Sequence, residues 1–88
     1  MFYTYVLKSL KDSHHYIGFT EDLKKRFIEH QQGKVPATKE RRPFRLIYYE
    51  ACLDKTAAIE REKYFKTGFG RRYLRNRLNL KNLPRIIT

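Results

Sequence analysis

Residues 2–8 and 14–19 are rich in aromatic and β-branched side chains, and the polar stretch Ser9-Leu10-Lys11-Asp12-Ser13 lies between them. Two such runs across a short polar turn read as a β-hairpin, which commits the chain to a sheet from its first residues. The next signals are helical. Thr20 is a good N-cap, with Glu21 and Asp22 placed in the first turn, where carboxylates oppose the positive end of the helix dipole. Leu23, Phe27 and Ile28 form an apolar stripe that ends before Gly33. Residues 33–43 read as a polar, basic loop carrying Pro36 and Pro43, and 44–49 as a third strand. Asp54 caps a second helix, from Lys55 to about Thr67, stopped by Gly68. A third, very basic helix runs from Arg71 to about Leu80, ended by Pro84. The predicted order is β-β-α-β-α-α. This is an α/β (α+β) fold, a small three-stranded, mainly antiparallel sheet flanked by helices. Pattern alone does not place the third strand in that sheet.

Eighty-eight residues make one domain with a single thin core, expected to be ordered over about 1–83 with a tail at 84–88. No stretch is long and apolar enough to span a bilayer, and the N-terminus lacks the charged start and apolar block of a signal peptide. A cytoplasmic location is the expectation. Cys52 is the only cysteine, which excludes an internal disulfide and a multi-cysteine zinc site. Any metal should therefore be a hard cation on oxygen ligands.

Twenty Lys and Arg against nine Asp and Glu leave a net charge of +11. A polyanion would convert that field into affinity by counterion release. An acidic membrane surface would prefer one strongly amphipathic basic helix, whereas here the basic residues run through the whole chain with Tyr and Phe between them. Nucleic acid is the partner that fits. Lys34, Lys39, Arg41 and Arg42 in the long loop, and Arg71, Arg72, Arg75 and Arg77 in the last helix, are candidates for backbone contacts.

Three placements point to chemistry. If the hairpin turn centres between Leu10 and Lys11, Tyr5 lies opposite Tyr16 and Gly18 faces Tyr3, with paired Cβ atoms roughly 5 Å apart. Paired tyrosines are also ordinary strand filling. Arg26 and His30 lie on the flank of the first helix's apolar stripe, where an arginine can grip a phosphate or merely snorkel. Lys24 and Lys25 read as a solvated face. On the second helix, Glu62 falls among Ala58, Ile59 and Phe65 in an apolar stripe, whereas Glu60 points elsewhere as a surface acid. A core-facing carboxylate costs several kcal/mol, on the order of 3, unless an arginine or a bound cation compensates it. His14 and His15 read as strand-edge residues. No Gly-rich phosphate loop, Ser-His-Asp set or zinc finger is present.

These residues carry a resemblance. Tyr3-Thr4-Tyr5, followed after ten residues by Tyr16-Ile17-Gly18, resembles the paired motif that names the GIY-YIG nucleases. Residues 20–30 resemble that family's arginine-bearing helix, and 58–63 the helix with its metal-binding glutamate. The likeness is nearest to small stand-alone members related to the nuclease domain of the UvrC repair protein. Tyr3 and Thr4 replace the glycine and isoleucine of the first motif. The resemblance implies an endonuclease that hydrolyses DNA phosphodiesters with Mg²⁺ or Mn²⁺, in repair or recombination. It assigns Tyr5, Tyr16, Arg26, His30 and Glu62 to catalysis, with Glu62 as metal ligand, and leaves Asn76, Asn79 and Asn82 as candidates for an active-site asparagine. Tyr5 is expected to act as base, if nearby cations lower a phenol from about 10, with Tyr16 and His30 assisting. His30 should titrate nearer neutrality and so take the proton directly or through a tyrosine. The substrate is expected to be DNA selected by structure rather than sequence, and the protein a monomer or weak dimer away from membranes. The rival is a catalytically silent nucleic-acid-binding module of the same fold; a small RNA-associated protein is a third reading, resting on charge alone.

Overall fold

A computed structural model describes residues 1–79. Strands β1 (Phe2–Ser9) and β2 (His15–Thr20) form the expected hairpin, and β3 (Phe44–Cys52) pairs with the other edge of β1. The sheet is three-stranded and antiparallel, in the order β2-β1-β3. Helix α1 (Leu23–Gln31) follows the hairpin, a 3₁₀ turn (Lys39–Arg41) interrupts the long loop, and α2 (Lys55–Phe65) and α3 (Gly68–Arg77) close the described chain. The predicted order holds.

Its boundaries move for identifiable reasons. Asp22, not Thr20, is the N-cap of α1: its carboxylate accepts from the Lys25 amide, and Thr20 instead exchanges hydrogen bonds with the Asp22 backbone. Gly68 does not stop α2. It opens α3, whose N-cap is Thr67, with Oγ1 accepting from the Gly70 amide. Gly70 allows this tight corner, since a Cβ there would stand 1.9 Å from the Tyr64 carbonyl oxygen. Helix α3 therefore starts before Arg71 and ends at Arg77. Pro84, Asn82 and the tail at 84–88 lie outside the described residues.

The hairpin register also differs. Lys8 pairs with His15 and Tyr5 with Gly18, so Tyr16 opposes Leu7 and not Tyr5. Ser9 sets this turn: its Oγ accepts from the amides of both Lys11 and Asp12, while Ser13 takes a left-handed conformation (φ 63°). The slip is even, so Tyr5 and Tyr16 still share a face.

That face packs Tyr5, Leu7 and Phe44 with Leu23 and Phe27 of α1. The opposite face buries Val6 and Ile17 against Phe65 of α2 and Leu74 of α3. Each fully buried side chain of this size contributes roughly 1.5–3 kcal/mol. No arginine compensates Glu62 among the described residues; the arginine of α2 serves another acid. Arg61 donates to Glu50 at 2.9 and 3.1 Å and lies over the rings of Tyr64, Phe65 and Tyr73 at 4.6–5.0 Å. No helix among the described residues is long and apolar enough to cross a membrane.

Candidate active site

Tyr5 stands on the central strand and is 1% exposed. Its ring lies across Gly18 of the edge strand, where a Cβ would come within 2.4 Å of both Cζ and Oη. The glycine of the hairpin thus clears the seat of Tyr5 itself rather than space beside Tyr3. The Tyr5 hydroxyl is 2.8 Å from Nε2 of His30, which α1 delivers fully buried from the flank position its spacing predicts. Nδ1 of His30 is 2.7 Å from Oγ1 of Thr38, a loop residue that is also fully buried. The half-buried ring of Tyr16 closes the cluster, with centroids 6.4 Å from Tyr5 and 5.2 Å from His30.

Charge reaches this cluster from two sides. The Arg26 guanidinium pairs with Glu29 at 3.2 Å and its charge acts on the Tyr5 phenol. Glu62 of α2 acts on Tyr5 through space. Its carboxylate is not sealed in the core: the side chain keeps 22% of its surface and Lys66 donates to it at 3.0 Å. Ala58 and Phe65 take the buried line of α2, and Ile59 and Glu62 fall on its flank, only half-buried.

The protonation states overturn two expectations. Burial pushes the Tyr5 phenol up to about 12; Arg26 opposes the rise, and Tyr16 and Glu62 add to it. Burial, helped by the Arg26 charge and opposed by Glu29, pulls His30 down to about 4. At neutral pH Tyr5 keeps its proton and His30 is a neutral acceptor, so neither titrates where ordinary values would place it.

His15 follows the same rule, held at about 4 by burial and then by Lys8, Arg41 and His14. Both imidazoles carry protons in the unfolded chain below their ordinary 6.5 and refuse them in the fold. The unfolded state then binds more protons, so stability rises with pH across this window. Thermal unfolding should be flat above about pH 6.5 and fall steadily toward pH 4. His15→Gln and His30→Gln should each remove part of that slope. A melting temperature unchanged over the window would contradict buried neutral rings.

A cleft of about 450 Å³ opens beside Arg26, between the end of β2 and the start of α1, with Lys25 and Lys55 on its walls. Lys25 was expected only on a solvated face, and Lys55 drew no attention because it belongs to a distant helix start. The loop cations separate into two kinds. Lys34 and Lys39 are exposed, whereas Arg41 pairs with Asp12 at 3.0 Å and Arg42 donates to the Lys39 carbonyl at 2.8 Å. On α3, Arg72 and Arg75 are exposed and Arg71 is half-buried. Asn76 and Asn79 are both exposed. The structure does not bring either to the Tyr5 cluster through any hydrogen bond among the described residues.

The family model described as the GIY-YIG catalytic domain matches residues 1–79. This chain belongs to the GIY-YIG family. A UPF0213 protein of Bacillus pumilus is 44% identical over 66 residues, 74% of this chain and 66% of its own length. One from Staphylococcus saprophyticus is 41% identical over 74% of this chain and 79% of its own length. The protein YazA of Bacillus subtilis is 46% identical over 70% and 63%. The chain thus spans just under two thirds of the Bacillus pumilus and Bacillus subtilis relatives. The solution NMR structure of a UPF0213 protein from Bacillus halodurans superposes with a TM-score of 0.53 at 35% identity, over 96% of this chain and 89% of that one. GIY-YIG is a nuclease family, and the scaffold described above is the one on which this chain carries its Tyr5, Tyr16, Arg26 and Glu62.

Whether the residues suit a divalent cation is a question of donors. Among the described residues no group of three or more His, Cys, Asp or Glu side chains gathers into a cage. Glu62 offers one accessible carboxylate, held only by a partly exposed lysine. That fits Mg²⁺, which commonly takes one or two carboxylates, keeps several waters and fills its remaining positions with substrate phosphate.

Proposed function

We propose that this protein is a metal-dependent endonuclease that hydrolyses DNA phosphodiester bonds. One observation carries this reading: a single buried hydroxyl, that of Tyr5, is hydrogen-bonded to a neutral imidazole, lies beside a second phenol ring, and feels the charges of a guanidinium and a carboxylate. A core tyrosine needs one hydrogen-bond partner, not four polar neighbours.

In this mechanism Mg²⁺ or Mn²⁺ on Glu62 supplies charge neutralisation at the phosphoryl and leaving oxygens. The chain's own groups do the rest. Arg26, at the wall of the cleft, stabilises a non-bridging oxygen as negative charge builds. Tyr5 takes a proton from the attacking water as its own proton passes to Nε2 of His30. Phenol and imidazolium result, and the hydroxide attacks phosphorus as the P–O bond to the leaving sugar oxygen breaks, that oxygen departing with the electron pair and taking a proton from solvent. An anionic phosphate that neutralises Arg26 lifts the depression of His30 and keeps the Tyr5 phenol high, so the phenol relays the proton to Nε2 in one concerted transfer and never stands as a free phenolate. Tyr16 orients the water from the neighbouring strand position. Lys25, Lys55 and the exposed Lys34, Lys39, Arg72 and Arg75 hold the backbone of DNA without reading its sequence. Contacts of this kind would select DNA by shape rather than sequence, as expected of an enzyme of repair or recombination.

Purified protein with Mg²⁺ or Mn²⁺ should cut or nick members of a panel of flaps, nicks, branches and duplexes, and EDTA should abolish the cutting. The silent binding module draws support from the fully protonated Tyr5. It predicts salt-dependent binding to the same panel with every substrate left whole, and that result would replace the nuclease reading.

A further inference from the structure

Thr38 lies on the long loop, eight residues beyond His30, and no periodicity marks it. Yet it is fully buried, and its Oγ1 stands 2.7 Å from His30 Nδ1. Which atom donates there decides what His30 can do for Tyr5, because a neutral imidazole has one donor and one acceptor nitrogen.

Two independent contacts resolve it. The Thr38 hydroxyl has an acceptor for its proton in the Val35 carbonyl, 3.4 Å away, which lets Oγ1 accept from Nδ1–H. On the other side of the ring, Nε2 at 2.8 Å is the one hydrogen-bond partner of the buried Tyr5 hydroxyl among the described residues, and the nearby Arg26 guanidinium offers no acceptor. The Tyr5 proton therefore needs Nε2 as its acceptor. With the opposite tautomer, the phenol oxygen would meet a donor at Nε2 and its own proton would have no acceptor among these partners, a loss of about 1–3 kcal/mol for a buried group.

We propose that Thr38 is a positioning residue that holds His30 as the Nδ1–H tautomer, so that Nε2 faces the Tyr5 hydroxyl as a proton acceptor. The polarity then runs one way: Tyr5 O–H to Nε2, Nδ1–H to Thr38 Oγ1, and Thr38 O–H to the Val35 carbonyl. Thr38 touches neither water nor phosphate in this arrangement. Its catalytic importance rests on the reading of Tyr5 as the base, whereas the tautomer itself does not.

Long-range ¹H–¹⁵N correlation of the histidine side chains reads the tautomer directly in the uncomplexed protein. Wild type should show His30 protonated at Nδ1 and bare at Nε2. Thr38→Val, which keeps the shape and loses the oxygen, should shift the population toward Nε2–H and lower kcat at least about tenfold with KM for DNA little changed. An imidazole left in the wrong tautomer costs a hydrolase triad on the order of 10⁴ in kcat. Thr38→Ser keeps the oxygen and should restore both tautomer and rate. A wild-type His30 protonated at Nε2 overturns the proposal, even if Thr38→Val fails to fold. So does a Thr38→Val protein with the wild-type tautomer and rate. Failure of the wild-type protein to cut any substrate would instead remove the nuclease reading and leave the tautomer result standing.

Discussion

Replacing Glu62 by glutamine is expected to abolish DNA cleavage while leaving the fold almost as stable as before. The two halves of that statement rest on different observations. The carboxylate is 22% exposed and its hydrogen-bond partner is Lys66, one turn along the same helix. An exposed pair at this spacing contributes about 0.3–0.5 kcal/mol. The melting temperature of a domain this size should therefore fall by no more than about 2–4 °C. The charge, in contrast, is the seat proposed for the divalent ion, and transition-state charge neutralisation of that kind is worth several kcal/mol, on the order of 10²–10³ in rate or more. Arg26→Ala should behave alike: its pair with Glu29 is also local and partly exposed, and a lost charge-stabilising donor costs about 10²–10³ in kcat. Cleavage per unit of folded protein, with melting temperature measured alongside, checks both. If the two variants cut at the wild-type rate, neither group takes part in the chemistry. If instead Glu62→Gln melts far below wild type, the carboxylate belongs to the core after all.

The same pair of residues shows what the sequence could and could not carry. Arg26 and His30 were legible, because the flank of a helical stripe is set by a spacing that tertiary packing did not alter. Glu62 was misplaced by a fraction of a turn. Ala58, Ile59, Glu62 and Phe65 fit one stripe, but α2 buries only the line through Ala58 and Phe65, and the acid lands at the margin. The hairpin was legible and its register was not, since the turn is fixed by one side chain, that of Ser9, bonding two amides. Thr38 carried no signal at all: it reaches His30 by loop geometry, and loops have no period. The protonation states were out of reach for a simpler reason. Ordinary values apply to solvated groups, and burial moved the phenol and the imidazole in opposite directions, each away from its charged form.

Charge distribution shows the same division. A net charge of +11 was plain in the composition and pointed to a polyanion. Which cations serve a ligand was not, because Arg41 is engaged in pinning the long loop to the hairpin turn. Ser9 Oγ donates to the Arg41 carbonyl at 2.6 Å, and the Arg41 guanidinium bonds Asp12. Those contacts hold the segment that bears Thr38 against the sheet, so this arginine acts on the site by keeping its back wall in place. Lys25 and Lys55, from different helices, line the cleft that Arg26 opens onto.

Gly18→Ala is the substitution that should reach furthest, because it strikes the fold and the site at one point. A methyl group there would lie 2.4 Å from Cζ and Oη of Tyr5 and 2.9 Å from Cε1. The end of a tyrosine ring can often swing aside, but this ring is 1% exposed, packed with Leu7 and Phe44, and tethered to His30. Relief therefore requires a strained rotamer or a shift of the edge strand, and overpacking of this sort costs about 1–3 kcal/mol. At roughly 4–8 °C per kcal/mol, the melting temperature should drop measurably. Whichever way the ring moves, its hydroxyl leaves Nε2 of His30, and a misplacement of about 1 Å costs on the order of 10²-fold in rate. Tyr5→Phe separates the two effects: the ring stays, the hydroxyl goes, and cleavage should be lost with a stability change of only about 1–2 kcal/mol. An alanine at position 18 that melts with wild type and cuts at its rate would mean that the tyrosine does not lie across the glycine, and the proton path through His30 would have no starting atom.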